Sequence, residues 1–233
     1  MKAKQILSLI LALILTLSLV ACGGTNDTPN SGDSTDPNAA SGLTEKIELS
    51  FAHSQQASAP TGMAMQAFAD KVKEDSNGMI EITVYPASQL GGERDELEGL
   101  SMGTVDMAYI SAGVIENYAP AAGIFNLPFV YDSYDHAQKV LDNEELNGVL
   151  ANDLANHNIK LLTFLVQGNR YLYSNKEANM DDLSTLNGLK IRVPEAPMAT
   201  GIWTSLKANP TAVPWSEVYT AMSTKIVEAF EVH

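Results

Sequence analysis

Short alternations of apolar and polar residues recur along the first half of the chain and predict β-strands. They cover Ile47–Ala52, Met79–Tyr85 and Val105–Ile110, where the alternation is typical of a strand that buries one face. Between them, apolar residues at helical spacing predict a helix over Thr61–Asp75 and a second from about Glu93 to Ser101. Strands and helices that alternate in this order favour an α/β domain with parallel pairing.

Polar residues that follow two of these predicted strands are candidate ligand contacts. In open α/β sheets, ligands bind beyond the carboxyl ends of the strands. His53 follows the first predicted strand and Ser111 follows the third. The pattern therefore places both residues at the rim of a ligand site. Solvated loops without a ligand are the alternative interpretation.

Two apolar runs in the second half of the chain are each associated with an arginine. The run Ile159–Val166 predicts a buried strand and is followed closely by Arg170, and Arg192 lies inside the run Leu189–Val193. The guanidinium stays charged at physiological pH and presents a rigid fork of donors that matches a carboxylate. From the residues alone, Arg192 is interpreted either as one half of a structural ion pair or as the anchor of a ligand carboxylate.

The N-terminal residues have the features of an export signal followed by a tether. Met1–Ala21 combines two lysines with the apolar stretch Ile6–Val20, which is too short for a comfortable membrane span. The sequence Leu19–Cys22 looks like a bacterial lipobox, which predicts cleavage before a lipidated Cys22. An ordinary signal peptide with a chance cysteine is the alternative. Residues 22–44 are polar and rich in Gly, Ser, Thr, Asn, Asp and Pro, which predicts a disordered tether between a membrane anchor and the globular part.

Composition excludes several classes of function. The chain has 14 basic and 28 acidic residues and a formal net charge of -14, so it lacks the basic surface with which proteins bind nucleic acids. A single cysteine excludes a disulfide or a cysteine-based zinc site within one chain. The four histidines are scattered without ligand spacing, so the sequence predicts no metal site.

The sequence also lacks the motifs of common enzyme classes. It contains neither a Gly-x-Gly-x-x-Gly fingerprint nor a phosphate-binding P-loop, and we expect no nucleotide cofactor. A surface-held hydrolase would need a nucleophile with its supporting base, and the Gly-x-Ser-x-Gly elbow that supplies one in many hydrolases is absent. The prediction is a binding protein without enzymatic activity or cofactor.

An ordered set of motifs covers most of the predicted globular part. The motifs are Gln89–Arg94, Leu127–Tyr131, Gly168–Arg170 with Ser174 and Asn175, Leu186–Pro194, Ala208–Thr211 and Pro214–Ala221. Together they resemble the extracytoplasmic solute-binding proteins of tripartite ATP-independent periplasmic (TRAP) transporters, of the C4-dicarboxylate-binding type. The resemblance extends from about Glu45 to Glu231.

This resemblance implies a fold, a ligand class and a set of site residues. Members of the family have a periplasmic-binding-protein-like α/β fold, in which two lobes close over an organic acid held in the cleft between them. By residue-to-residue correspondence, Arg192 pairs with the ligand carboxylate, Arg170 lies near the same pocket, and Trp215 packs against the ligand. Core packing is the alternative for Trp215. His53 and Ser111 correspond to variable positions that contact ligand in some relatives.

The resemblance also implies domain bounds and partners. We expect a first α/β lobe over residues 45–167 and part of a second over residues 168–233, because the match decays after Ala221 and the chain stops where relatives continue. The second lobe and the C-terminal helices are therefore expected to be incomplete, as in a fragment or the product of a frameshifted gene. The predicted function is a lipid-anchored, extracytoplasmic component that delivers a dicarboxylate, keto acid or sugar acid to membrane permease subunits. A sensor module and an inactive truncated relic are the alternatives.

Overall fold

The structure is a computed structural model that describes residues 44–233. The predicted signal peptide, Cys22 and all but the last residue of the predicted tether lie outside the described residues. Two sheets with their flanking helices make up the described part. We call the N-terminal sheet with its helices lobe I and the C-terminal sheet with its helices lobe II.

Lobe I begins with three parallel strands connected by helices. Its elements are β1 (Ile47–His53), α1 (Pro60–Asp75), β2 (Ile80–Tyr85), α2 (Glu93–Met102) and β3 (Met107–Tyr109), and the strand order is β2-β1-β3. All the pairs are parallel, as the sequence pattern predicts. The carboxyl ends of the three strands therefore meet at one edge of the sheet.

Local sequence accounts for the ends of these helices. Pro60 occupies the first position of α1 after the extended Ala59, a position where proline costs no hydrogen bond. After α1, Asn77 and Gly78 adopt positive φ angles of 51° and 78°, and this left-handed turn ends the helix. At the start of α2, the Asp95 carboxylate accepts a hydrogen bond of 2.8 Å from the backbone N–H of Gly92.

The remainder of lobe I is helical. It contains α3 (Ala112–Ile115), a 3₁₀ helix (Pro120–Asn126), α4 (Tyr134–Leu141) and α5 (Glu144–Ala155). Ser133 caps α4 by accepting a hydrogen bond from the N–H of His136, and Asn143 caps α5 by accepting one from Leu146. Leu150 and Leu154 of α5 are fully buried against Ala119 and Ala122.

The prediction of a strand over Ile159–Val166 is wrong, because this segment forms neither helix nor strand. A strand needs a neighbour for its backbone hydrogen bonds, and the segment pairs with no strand among residues 44–233. Part of its apolar surface packs on the helices of lobe I through Ile159, Leu161 and Phe164. Leu162 and Leu165 remain 65% and 52% exposed.

Lobe II is built on a mixed four-stranded sheet. Its elements are β4 (Tyr171–Ser174), a 3₁₀ helix (Leu183–Leu186), β5 (Lys190–Val193), α6 (Pro197–Ser205), β6 (Asn209–Ala212), a 3₁₀ helix (Trp215–Glu217), α7 (Val218–Ser223) and β7 (Ala229–Val232). The strand order is β4-β7-β5-β6, with β4 antiparallel to β7 and the other pairs parallel. Ile191, Val193 and Trp203 are central to its buried core.

The residues after Ala221, where the family motif decays, nevertheless form an inner strand of lobe II. Ala229 and Phe230 of β7 pair with Ile191 and Arg192 of β5. Ala229 is fully buried, so the departure from the motif leaves the pairing of the sheet intact. Among residues 44–233, none of the helices is both long and apolar enough to cross a membrane.

Candidate functional site

Arg192 is a buried cation on an inner strand of lobe II. Its side chain is on β5, next to Thr211 of β6 and Phe230 of β7 in register, and only 5% of the residue is exposed. Its Nε donates a hydrogen bond of 2.7 Å to the carbonyl oxygen of Val213. Among the hydrogen bonds and ion pairs of the described residues, the two terminal nitrogens have no protein acceptor.

Burial, assisted by the charge of the nearby Arg170 and opposed by that of Glu93, lowers the pKa of Arg192 to about 10. A guanidinium with this pKa is still charged at neutral pH. A buried charge is costly unless it is paired. The arrangement therefore favours an anion bound at the terminal nitrogens of Arg192.

Arg170 contributes a second, more exposed guanidinium to the same region. It precedes β4, and its Nε lies 3.7 Å from Oε2 of Glu231 on β7. At this distance the two side chains form a long ion pair rather than a close hydrogen bond. The side chains of Arg170 and Glu231 are 31% and 16% exposed, so the pair lies at the edge of the region around Arg192.

Three aromatic rings form a wall beside Arg192. The guanidinium carbon of Arg192 lies 5.7 Å from the centroid of the Trp215 ring. Trp215 meets Phe230 edge-on at 6.3 Å, and Phe230 stacks on Tyr173 at 5.3 Å with an interplanar angle of 14°. Trp215 is 36% exposed, so the ring is not enclosed in a core. The sequence did not single out Phe230 or Tyr173, because their proximity depends on the pairing of β7 with β4 and β5.

Glu93 brings a carboxylate of lobe I to the same region. It is the first residue of α2, and its charge is the strongest of those acting on Arg192. Its Oε1 accepts a hydrogen bond of 3.0 Å from the Ser54 hydroxyl. Its Oε2 accepts bonds from the backbone N–H of Ser111 at 3.1 Å and from the Ser111 hydroxyl at 2.5 Å. Glu93 thereby joins the segments that follow β1 and β3.

In the sequence, Glu93 is recognisable only as part of the family motif Gln89–Arg94, and it was not predicted as a site residue. Its position at the start of a helix that follows a predicted strand was the available signal. The hydrogen bonds to Ser54 and Ser111 were not visible, because they depend on parallel pairing of β1 and β3.

The two rim residues predicted in lobe I have different environments. Ser111 is half-buried beside Glu93. His53 is fully buried, and among the described residues neither ring nitrogen has a hydrogen-bond partner. Burial lowers the pKa of His53, so its ring is neutral at neutral pH. His53 therefore lies beneath the rim rather than on an open surface.

Tyr109 and Gln167 connect β3 to the segment that leads into lobe II. The amide of Gln167 donates a hydrogen bond to the Tyr109 hydroxyl. Burial raises the pKa of Tyr109, and the charge of Glu93 raises it further. The phenol therefore stays protonated beside Glu93.

Taken together, the groups around Arg192 suit an organic anion with hydroxyl groups. Two guanidiniums supply positive charge, aromatic rings supply an apolar wall, and Glu93 with Ser111 supplies hydrogen-bonding groups from the other lobe. In residues 44–233, no group of three or more His, Cys, Asp or Glu side chains is arranged to hold a metal ion.

Comparison with known proteins finds relatives that match most of the chain. Residues 51–233 match the family described as bacterial extracellular solute-binding protein, family 7. The sialic acid-binding periplasmic protein of Vibrio cholerae is 32% identical over 197 residues, which cover 79% of this chain and 61% of that protein.

Two solved TRAP periplasmic solute-binding proteins have the same fold. The protein from Xanthobacter autotrophicus, with bound β-D-galacturonate, has a TM-score of 0.73 and 32% identity, with coverage of 78% of this chain and 60% of that one. The protein from Sulfurospirillum deleyianum, with bound succinate, has a TM-score of 0.75 and 29% identity, with coverage of 80% and 60%. The chain thus spans about 60% of the length of these relatives.

These findings confirm the predicted resemblance and the two-lobed α/β fold class. The relatives are solute-binding proteins and not enzymes, as the sequence predicts. An extracytoplasmic location follows from the same relationship. The chain belongs to family 7 of the bacterial extracellular solute-binding proteins, the DctP family.

Proposed function

We propose that this chain is the solute-binding component of a TRAP-type transporter and that it binds a small organic acid through a contact between Arg192 and the ligand carboxylate. The observation that carries the proposal is the state of Arg192, which is charged, 5% exposed and without a carboxylate partner among the described residues. A carboxylate bound there pairs the buried charge.

The energetics of this contact favour a bidentate interaction. Nε of Arg192 is already held by Val213, which fixes the plane of the guanidinium. Charge-assisted hydrogen bonds contribute about 1.5–3 kcal/mol each. Because Arg192 is buried, the Coulomb attraction at its guanidinium is stronger than at the protein surface. Arg170 adds a second positive charge, which Glu231 partly compensates.

Within the organic acids, hydroxylated monocarboxylates fit the site best. The Glu93 carboxylate accepts hydrogen bonds, and the Ser111 oxygen, whose proton is donated to Glu93, can accept one more, so both suit the hydroxyl donors of a sugar. The faces of Trp215 and Phe230 match the apolar face of a sugar ring. A second carboxylate placed near Glu93 would meet like charge. We therefore propose a sugar acid of the kind bound by the Xanthobacter autotrophicus protein as the ligand, ahead of a dicarboxylate such as succinate.

Calorimetric titration with D-galacturonate, D-glucuronate and succinate tests this function. At least one of the two uronates is expected to bind more tightly than succinate, and Arg192→Ala is expected to abolish measurable binding while the variant stays folded. Lys190→Ala is the matched control, because Lys190 is exposed on the same strand. Failure of all three acids to bind, or equal binding by Arg192→Ala, refutes the proposal.

We also propose that a lipid on Cys22 anchors the protein to the outer face of a membrane, where permease subunits receive its ligand. The lipobox-like sequence Leu19–Cys22 supports this proposal. Expression in a bacterial host, followed by membrane fractionation, tests it. The protein is expected in the membrane fraction and Cys22→Ser in the soluble fraction, whereas identical partitioning contradicts the anchor. Ligand-dependent uptake with the permease subunits reconstituted in vesicles tests the delivery step.

A further inference from the structure

Two hydrogen bonds cross between lobes at the start of α6. Oε1 of Glu116, which follows α3 in lobe I, accepts a hydrogen bond of 2.5 Å from the backbone N–H of Met198 in lobe II. Nδ2 of Asn117 donates one of 3.0 Å to the carbonyl oxygen of Glu195. We call these four residues the inter-lobe clasp. Arg94 of α2 orients Asn117 by donating to its Oδ1 at 3.2 Å.

The sequence of α6 explains why its cap comes from another lobe. The residue before the helix is Ala196, which has no side-chain acceptor, and the first helical residue is Pro197, which has no N–H. Met198 therefore carries the first free N–H of the helix, a group that must find an acceptor outside the helix. A carboxylate suits this position because the helix dipole places partial positive charge there.

The packing around the clasp is close and leaves Glu116 little freedom. An added Cβ at Gly113 would lie 3.0 Å from Cβ of Ala196, and one at Gly123 would lie 3.2 Å from Oε2 of Glu116. Glu116 is 7% exposed, and its Oε2 has no partner among the described residues. Burial raises the pKa of Glu116, and the hydrogen bond from Met198 opposes that effect. A carboxylate is kept in this tight site at a cost in desolvation.

The clasp lies next to the elements that form the two sides of the candidate ligand site. Ser111, which contacts Glu93, immediately precedes α3 in lobe I. In lobe II, Glu195 and Met198 follow shortly after β5, which carries Arg192. A bond between these two segments therefore limits how far Ser111 and Glu93 can move from Arg192.

We propose that Glu116 is a positioning residue which, by capping α6 from the opposite lobe, sets the separation of the two lobes and thereby the width of the ligand cleft. The consequence for ligand affinity rests on the function proposed above, whereas the consequence for lobe separation does not. Glu116 itself is not placed in contact with the ligand.

The lobe separation is measured first, without ligand, by distances between spin labels at Met63→Cys in lobe I and Lys190→Cys in lobe II. Both positions are exposed, and Cys22→Ser in the full chain removes the native thiol. In Glu116→Ala, the distances between the two labels are expected to be longer and their distribution broader. Glu116→Gln keeps an oxygen that accepts from Met198 and is expected to retain the wild-type distribution.

A matched control separates this role from ordinary helix capping. Asn143→Ala removes a side-chain cap from α5 within lobe I, and we expect it to lower stability without changing the distance distribution. A distribution for Glu116→Ala that equals that of the unsubstituted chain overturns the proposal. So does a change of the same size in Asn143→Ala.

The second measurement is the affinity for D-galacturonate. Glu116→Ala is expected to weaken binding by about tenfold, in line with the loss of one hydrogen bond to a charged group. Glu116→Gln is expected to weaken binding less than Glu116→Ala does. If the distances change as expected but neither the unsubstituted chain nor any variant binds the acid, the role of the clasp in lobe separation is supported and the proposed ligand is refuted. If binding by Glu116→Ala is unchanged while its distances lengthen, the link between the clasp and the cleft is refuted.

Discussion

The guanidinium of Arg192 lies 5.7 Å from the centre of the Trp215 ring, while its Nε is bonded to the carbonyl oxygen of Val213. The ring and the carbonyl restrict the side chain from two sides, and a cation over an aromatic face is itself attracted to the ring. The cation is thus oriented before any ligand arrives. Preorganisation of this kind lowers the entropic cost of binding.

The orientation of Arg192 predicts that charge alone is insufficient for binding. Arg192→Lys keeps a positive charge but loses the fork of donors and the bond to Val213. We expect the affinity for D-galacturonate to fall by about 10–100-fold, equivalent to about 1.5–3 kcal/mol, measured by calorimetry. Thermal unfolding serves to verify that the variant is folded. A loss of affinity of less than threefold would show that the paired donors of the guanidinium contribute little to binding.

Glu93 is predicted to discriminate between classes of acid. Glu93→Gln removes the negative charge and one acceptor beside Ser111. D-galacturonate is expected to bind less tightly and succinate more tightly, because the repulsion of a second carboxylate is removed. The measured quantity is the ratio of the two dissociation constants. Glu98→Gln, on the same helix, is the control, and an unchanged ratio in Glu93→Gln argues against this role.

Glu96 is predicted to make stability depend on pH. It is fully buried on α2, with neither oxygen bonded among the described residues. Burial, assisted by Glu93 and Asp95, raises its pKa from 4.5 to about 8. Below pH 4.5 the carboxyl is protonated in both the folded and the unfolded chain. Between pH 4.5 and about 8, the unfolded chain releases a proton that the folded chain retains, so the free energy of unfolding falls as the pH rises.

Glu96→Gln removes this dependence and is expected to be more stable than the unsubstituted chain by about 1–3 kcal/mol at pH 8, with the difference fading toward pH 4. Urea unfolding across this pH range measures the effect. Glu98→Gln, which is half-exposed on the same helix, is the control and is expected to show no such trend. A difference that is independent of pH would mean that Glu96 is ionised in the folded protein.

Lys207, just after α6, is predicted to carry backbone strain. Its φ angle of 63° is in the left-handed region, which side chains disfavour and glycine tolerates. We expect Lys207→Gly to raise the free energy of unfolding by about 0.5–1 kcal/mol, measured by urea unfolding. Lys207→Ala keeps the strained backbone and is expected to bring no gain. Equal stability of the two variants would contradict the prediction.

The strands of lobe I were predictable because their signal is local. The alternation over Ile47–Ala52 and Met79–Tyr85 corresponds to the observed β1 and β2 within one residue at each end. The apolar run Ile159–Val166 had an equally strong signal but forms no strand. Apolar character favours burial, whereas a strand also requires a neighbour with free backbone groups, and neighbours are a property of the whole fold.

The sequence by itself determined the chemistry of Arg192, a permanent cation within a short apolar strand, and the ordered motifs that identify the family. Only the tertiary structure decided what surrounds that cation. Pairing of β5 with β7 placed Phe230 beside it, and packing of the two lobes brought Glu93 near it and joined Glu116 to Met198. These contacts join residues far apart in sequence, so no local pattern encodes them, and they form only when the separate apolar faces are buried together.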